Sequence, residues 1–167
     1  MAALAVDSRN KFAIAKFSSS LEFVFGLRVP YEELESYQYY YSRKTGRLRY
    51  VKNGEDVLFT LRANGSIAPT IAGARLLISQ SLKKAQFVIR VLDGVAQEIS
   101  KGKTVFCKHV AGASNGLRSG QDVVVVSQNG TLLAVGNAVL AGPLMKQFKR
   151  GVAVKIREGA NKHGSVI

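Results

Sequence analysis

The chain has 167 residues, enough for one ordinary domain or two small ones. This length excludes a catalytic (β/α)₈ barrel, which needs about 250 residues. With 47% hydrophobic and 21% charged residues and only 3 prolines, the chain has the composition of a folded protein and not of a disordered one. The 24 basic residues against 11 acidic ones give a net charge of +13, which predicts a polyanionic partner, with nucleic acid ahead of membrane.

Cysteine and histidine are too scarce for several classes of site. The single cysteine, Cys107, excludes a disulfide framework and a zinc site built from several cysteines. With only His109 and His163 beside it, the sequence predicts no metal and no cofactor. No nucleophile paired with a base is recognisable, so no catalytic residue is assigned. The lone cysteine and the lack of a long apolar run indicate a cytoplasmic protein without membrane contact.

Apolar residues at helical spacing mark the beginning of the chain and one later segment. The pattern over residues 7–28 predicts a helical region, and Ser18–Ser20 offer N-caps that would divide it into two short helices. Pro30 ends this pattern. Another helix is expected over residues 71–79, with Thr70 as its N-cap.

Strand patterns occupy much of the remaining chain. Asn53-Gly54 is a strong hairpin signal between two of the predicted strands. Beyond residue 100 the pattern is almost all strand, with one short helix over residues 143–149 that has proline in its first turn. The predicted strands cover residues 37–41, 47–52, 57–62, 87–92, 104–111, 122–127, 132–138 and 152–157. Several short strands joined by glycine-containing turns predict a small β-barrel in the second half.

We therefore predict an α+β protein with two domains. The N-terminal α+β domain covers residues 1–99, the small β-barrel covers residues 100–159, and residues 160–167 form a C-terminal tail. Charge divides unevenly between the two parts. Residues 100–167 hold 10 basic and 2 acidic residues, a net charge of +8, so the C-terminal part has the stronger positive field.

Residues 104–159 resemble the PUA domain, which is named after pseudouridine synthase and archaeosine transglycosylase. Four elements match in order: the first strand leading into His109-Val110, Gly116–Gly120 before Asp122–Val126, Leu133–Gly136, and Lys149–Lys155. Upstream, Thr60–Ala63, Gly73–Arg75 and Lys101–Lys103 resemble the domain that precedes PUA in archaeosine-type tRNA-guanine transglycosylases. The resemblance implies an archaeal-type PUA β-barrel, similar to the C-terminal part of that enzyme without its catalytic barrel.

The resemblance also implies an RNA-binding surface. In PUA domains, RNA generally meets the segment between the first and second strands and the end of the last strand. The residues at those positions are Lys108, His109, Gly112, Ala113, Ser114, Asn115, Gly116, Arg118, Gly120, Lys155 and Arg157. Glycines let a backbone approach a phosphate closely, and the planar fork of Arg118 suits a phosphate or a guanine edge.

These observations predict a non-catalytic RNA-binding protein that recognises tRNA or another structured RNA and assists an RNA-modification enzyme in trans. Two alternatives stay open. One is an adaptor that serves translation, the ribosome or a modification complex. The other is an RNA-modifying enzyme that uses the N-terminal domain, although no catalytic arrangement supports it.

Several of the singled-out residues also have structural explanations. Cys107 is expected to be a small buried hydrophobe. His109, Arg118 and the glycines either serve the local fold and surface or contact RNA. Tyr37 and Tyr39–Tyr41, interleaved with basic residues as far as Lys52, are typical either of single-strand binding or of a charged edge hairpin with half-buried rings.

Overall fold

The structure is a computed structural model that describes residues 2–80 and 85–161, with side chains from residue 8 onward. The chain divides into two compact units between Gly73 and Ala74. Unit 1 contains α1 (Ala2–Phe25), α2 (Tyr31–Ser36), β1 (Gln38–Tyr41), β2 (Leu48–Asn53), β3 (Asp56–Leu61) and β4 (Ile67–Pro69). The next helix, α3 (Ile71–Gln80), contains the point of division.

The core of unit 1 lies between α1 and one face of an antiparallel sheet with the strand order β1-β2-β3-β4. Phe17 of α1 is fully buried, and its ring centroid lies 5.4 Å from that of Phe59 and 6.1 Å from that of Tyr39. Both pairs have the edge-to-face geometry that aromatic quadrupoles favour. Leu21, one helical turn further on, is also fully buried. The apolar stripe of α1 therefore packs on the sheet.

The prediction of two short helices before Pro30 is wrong, because α1 continues without a break to Phe25. Ser20 does not cap a new helix; its hydroxyl donates a hydrogen bond to the carbonyl of Lys16 over 2.9 Å inside the same helix. The helix ends at Gly26, whose φ of 66° lies in the left-handed region and whose N–H donates to the carbonyl of Glu22. The predicted N-cap of α3 is confirmed, since the N–H of Gly73 donates to the Thr70 hydroxyl over 3.2 Å.

Unit 2 contains a six-stranded, barrel-like sheet, and this confirms the predicted α+β class with a small β-barrel. Its elements are β5 (Val88–Val91), α4 (Ala96–Ser100), β6 (Val105–Phe106), β7 (Val110–Ala113), β8 (Asp122–Val126), β9 (Leu132–Ala138), α5 (Gly142–Gln147) and β10 (Val152–Gly159). The strand order is β6-β10-β9-β8-β5-β7, and β5 and β8 are parallel whereas the other pairs are antiparallel. Valines, alanines and leucines of these strands fill the core.

The prediction of one strand over residues 104–111 is wrong. A 3₁₀ turn, Cys107–His109, separates β6 from β7, which pair with β10 and β5 at opposite ends of the strand order. Alternation of apolar residues could not reveal this break, because Cys107 is buried within the turn, as predicted for a small hydrophobe, just as it would be on a strand.

The domain boundary at residue 100 stays a prediction. In the structure, β5 and α4 precede that residue, and Ile89, Val91 and Ile99 belong to the same hydrophobic core as the later strands. Of the predicted tail, Ala160 donates its N–H to the carbonyl of Leu133 over 2.8 Å, and residues 162–167 lie outside the described residues. Within the described part of the chain, no helix is both long and apolar enough to cross a membrane.

Candidate nucleic-acid interface

A cleft of about 550 Å³ opens in unit 2 between α4, the loop that follows it and the 3₁₀ turn Cys107–His109. Its wall includes the apolar side chain of Val95 and the ring of Phe106, which is 42% exposed. The His109 ring meets that of Phe106 edge to face, with centroids 6.2 Å apart. Glu98 and Lys103 contribute the charged groups. The cleft therefore combines surface for a planar ring with charge for an ionic group.

Two lysines converge on the carboxylate of Glu98: Lys103, which lines the cleft, and Lys101, two residues before it in the chain. Lys101 places its Nζ 3.4 Å from one carboxylate oxygen of Glu98, and the Nζ of Lys103 forms an ion pair with the other. The hydrogen bond and charge of Lys103, followed by those of Lys101, hold the pKa of Glu98 below its usual value. Gly102 between the lysines has φ = 96°, a conformation that glycine adopts without strain. We name Glu98, Lys101, Lys103, Phe106 and His109 the lysine cleft.

The end of β10 supports the loop that carries these lysines. A Cβ atom on Gly159 would lie 2.2 Å from the carbonyl oxygen of Ser100 and 2.7 Å from the nitrogen of Gly102, so only glycine fits there. The N–H of Asn161 donates to the same Ser100 carbonyl over 2.9 Å. The last strand therefore holds the loop in place, and the two lysines stand on a preformed backbone.

Two of the sequence-predicted residues, Lys108 and His109, lie in the 3₁₀ turn rather than on a strand. Lys108 is exposed. His109 is half-buried, its side chain lines the cleft, and its carbonyl accepts a hydrogen bond from the N–H of Leu92 over 2.9 Å. Its backbone thus serves the fold while its ring faces the candidate site.

The predicted glycine-rich segment, residues 112–120, uses its backbone inside the protein. Gly112 and Ala113 belong to β7 and pair with Arg90 and Ile89 of β5. Three N–H groups of the following loop already have acceptors: that of Gly116 donates to the Ser114 hydroxyl, that of Arg118 to the Gln121 side chain, and that of Gly120 to the carbonyl of Ala138. The exposed side chain of Arg118 remains available at the surface, whereas these three N–H groups are already engaged.

Side chains of α5 and β9 form hydrogen bonds with this loop. The side-chain oxygen of Asn115 accepts a hydrogen bond from Lys146 of α5 over 3.3 Å. The carbonyl of Gly120 accepts one from Asn137 over 2.7 Å. Asn137 in turn pairs with Lys155 of β10, whose side chain is exposed. The predicted residues of the loop and of the last strand are thus connected through β9.

Arg157, also a predicted RNA contact, is engaged by an acidic residue. Its Nη1 donates to the Oδ1 of Asp122 over 2.7 Å, and the side chain of Asp122 is only 5% exposed. A buried carboxylate requires a compensating charge. Arg157 therefore has a structural role, whatever it contributes to binding.

Replacing Arg157 by alanine is expected to lower the free energy of unfolding by about 1.5–3 kcal/mol, the usual contribution of a hydrogen bond to a charged group. Lys155→Ala, a change of equal charge on an exposed neighbour, is expected to cost less than about 0.5 kcal/mol. Urea denaturation of the two variants measures both values. Equal stability of the two variants would show that Asp122 does not depend on Arg157.

Glu98 and Phe106 were not among the residues singled out from the sequence, and Lys101 and Lys103 were named there only within the resemblance to the domain that precedes PUA. The signal was present in Lys101-Gly102-Lys103, where a glycine separates two basic residues. It did not reveal Phe106, the last residue of β6, whose ring meets that of His109 from the following 3₁₀ turn at the cleft. Among the residues that the structure describes, no group of three or more histidine, cysteine or acidic side chains is arranged to hold a metal.

Comparison with known families agrees with this architecture. Residues 87–160 match the model of the PUA domain. The chain contains a PUA domain. Residues 20–83 match the patch-forming domain C2 of tRNA-guanine transglycosylase, and so the C2 match precedes the PUA domain. The PUA match begins just before β5, which pairs with both β7 and β8.

Curated relatives and solved structures extend this likeness. The tRNA-guanine(15) transglycosylase of Methanococcus aeolicus is 33% identical over 151 residues, which cover 86% of this chain but 23% of that enzyme's length. A hypothetical protein from Pyrococcus horikoshii has the same fold with a TM-score of 0.66 at 24% identity, covering 92% of this chain and 90% of that one. A PUA domain protein from Thermoplasma acidophilum gives a TM-score of 0.54 at 21% identity, covering 66% and 68%.

Proposed function

We propose that the chain binds structured RNA, with tRNA as the favoured class, through the lysine cleft of its PUA domain. The observation that carries this proposal is the pair of lysines held on one exposed carboxylate beside an exposed aromatic ring. A phosphate can replace the carboxylate of Glu98 as the partner of Lys101 and Lys103, and an unstacked base can lie against Phe106. The names of the transglycosylase relatives support tRNA as the ligand.

The proposed role is recognition rather than catalysis. The resemblance to a transglycosylase concerns about a quarter of that enzyme's length, so its activity does not transfer with the match. We propose that the chain presents RNA to a modification enzyme in trans. Lys108, His109, Arg118 and Lys155 are proposed to extend the contact beyond the lysine cleft.

The double variant Lys101→Gln/Lys103→Gln is expected to bind tRNA about 10- to 30-fold more weakly near 0.1 M salt, because two phosphates no longer pair with a lysine. The dependence of log K on log salt should become shallower by about 2, one unit for each phosphate that is no longer neutralised. Fluorescence anisotropy titrations of labelled tRNA over a series of salt concentrations measure both quantities. The matched control is Lys149→Gln/Arg150→Gln, which removes the same charge from exposed positions of the same unit.

Glu98→Gln is expected to act in the opposite direction and strengthen binding, because it removes the carboxylate that competes with phosphate for both lysines. Equal weakening by the two double variants would show that net charge, and not the lysine cleft, carries recognition. Absence of tRNA binding by the unmodified chain at low salt would refute the proposed function itself.

A further inference from the structure

The sheet of unit 1 has a second face, on the side opposite α1. The register of β1 and β2 pairs Tyr40 with Tyr50 and Gln38 with Lys52. Tyr39 and Val51 alternate with these residues and belong to the core side, where Val51 is fully buried. We name Gln38, Tyr40, Tyr50 and Lys52 the tyrosine face.

Two tyrosines of this face form a parallel stack. The ring centroids of Tyr40 and Tyr50 are 4.7 Å apart with an interplanar angle of 15°, and Tyr40 is 40% exposed. The Nζ of Lys52 lies 5.8 Å from the centroid of the Tyr40 ring. Stacking against Tyr50 already restrains the Tyr40 ring. Binding of a ligand to this ring therefore costs little further side-chain entropy of the protein.

The other tyrosines of the segment have partners in the fold. The hydroxyl of Tyr39 donates to the carbonyl of Leu34 over 2.8 Å. The hydroxyl of Tyr41 donates to the carbonyl of Arg9, and the Arg9 guanidinium lies 3.9 Å from the centroid of the Tyr41 ring. These two residues fit the explanation of rings half-buried against the fold. Tyr40 and Tyr50 do not fit it, because they stack on the outer side.

Protection of a sheet edge does not explain the pair either. Charged residues commonly defend an edge strand such as β1 against pairing with other chains. Tyr50, however, belongs to β2, which is paired on both sides, with β1 and with β3. Edge protection therefore does not explain an aromatic stack that extends from an edge strand to an interior strand. Such a stack is better explained as a surface for binding a ligand.

The charge around the stack identifies its ligand class. Residues 37–53 contain 5 basic and no acidic residues. Arg43, Lys44 and Arg47 are exposed in the turn between β1 and β2, and Arg49 is exposed at the bulge beside Tyr50. Recognition of a single strand combines aromatic rings on which bases stack with cations that pair with the phosphates.

We propose that the tyrosine face and the basic turn beside it bind single-stranded RNA, as a site separate from the lysine cleft. A base stacks on Tyr40, and Lys52 and the arginines of the turn neutralise adjacent phosphates. Because every base presents a similar aromatic surface, this site has little sequence preference. The site would hold an unpaired stretch of RNA.

Binding of a short oligouridylate to the full chain tests this proposal, with fluorescence anisotropy as the measurement. Tyr40→Ala is expected to weaken binding at least about fivefold, the effect of losing one stacked base, whereas Tyr40→Phe retains the ring and the affinity. The control is Tyr31→Ala, because Tyr31 is 47% exposed but lies on α2 next to two glutamates. Thermal melting of each variant checks that the fold is intact.

Photocrosslinking of an oligonucleotide that contains 4-thiouridine locates the contact independently of affinity. We expect crosslinks on residues 38–52 that persist in the Lys101→Gln/Lys103→Gln variant, so this site succeeds or fails separately from the lysine cleft. Equal affinities of the Tyr40→Ala and Tyr31→Ala variants would overturn the proposal. Failure of the unmodified chain to bind the oligouridylate, with capture of an acidic peptide instead, would identify the face as a protein-docking surface and would also overturn it.

Discussion

A fragment that begins at residue 100 is expected to remain unfolded, whereas a fragment of residues 74–167 folds cooperatively. The shorter fragment lacks β5, which lies between β8 and β7 in the sheet, so β7 loses its strand partner. It also lacks most of α4, including Ile99, which is only 2% exposed.

The stability lost with the residues before 100 determines whether the shorter fragment can fold. Removing residues before 100 deletes four buried side chains of the strand region, Phe87, Val88, Ile89 and Val91, besides Ile99. At about 1.5–3 kcal/mol for each buried side chain, the loss is on the order of 10 kcal/mol. Small domains are stable by only about 5–15 kcal/mol, so little or no stability remains.

Circular dichroism during thermal denaturation distinguishes the two fragments. A cooperative transition is expected only for residues 74–167, and the same fragment should retain tRNA binding if the lysine cleft is the site. A cooperative transition of the fragment 100–167 would support the domain boundary predicted from the sequence and would contradict the contribution assigned here to β5.

Gly142→Ala is expected to destabilise the chain by about 3 kcal/mol or more, at the upper end of the usual cost of overpacking. Gly142 begins α5, and a Cβ atom there would lie 1.9 Å from the carbonyl oxygen of Ser114 and 3.3 Å from the Cβ of Leu117. The obstacle is backbone rather than the end of a flexible side chain. Either α5 or the loop that carries Arg118 must therefore move.

Gly94→Ala provides the matched control. Gly94 lies in the 3₁₀ turn Asp93–Val95, and an added Cβ there meets nothing within 4 Å. Its free energy of unfolding should change by no more than about 0.5 kcal/mol. Urea denaturation of both variants is the measurement, and a similar stability for the two would mean that α5 and residues 114–117 adjust without cost.

The serines of α1 illustrate a limit of local signals. Ser18–Ser20 are good N-cap residues, and their sequence context alone predicts a helix start. In the folded chain, burial of Phe17 and Leu21 on the sheet keeps the helix continuous across these serines. Packing of the apolar stripe prevails over a capping preference of about 1 kcal/mol.

The fold and the candidate sites show the same contrast between local sequence signals and tertiary packing. Composition, turn residues and strand patterns in the amino-acid sequence were sufficient for the α+β class, a small β-barrel, most strand positions and the positive charge, because composition and local patterns do not depend on how distant segments pack. The resemblance of residues 104–159 then indicated the PUA domain. The lysine cleft, the engagement of Arg157 by Asp122 and the Tyr40–Tyr50 stack depend on strand register and on one 3₁₀ turn. Only the tertiary structure decides these. The folded loop and the 3₁₀ turn bring residues 98–109 together, and pairing between strands sets Arg157 beside Asp122 and Tyr40 beside Tyr50. A shift of register by one residue would move each side chain to the other face of its sheet.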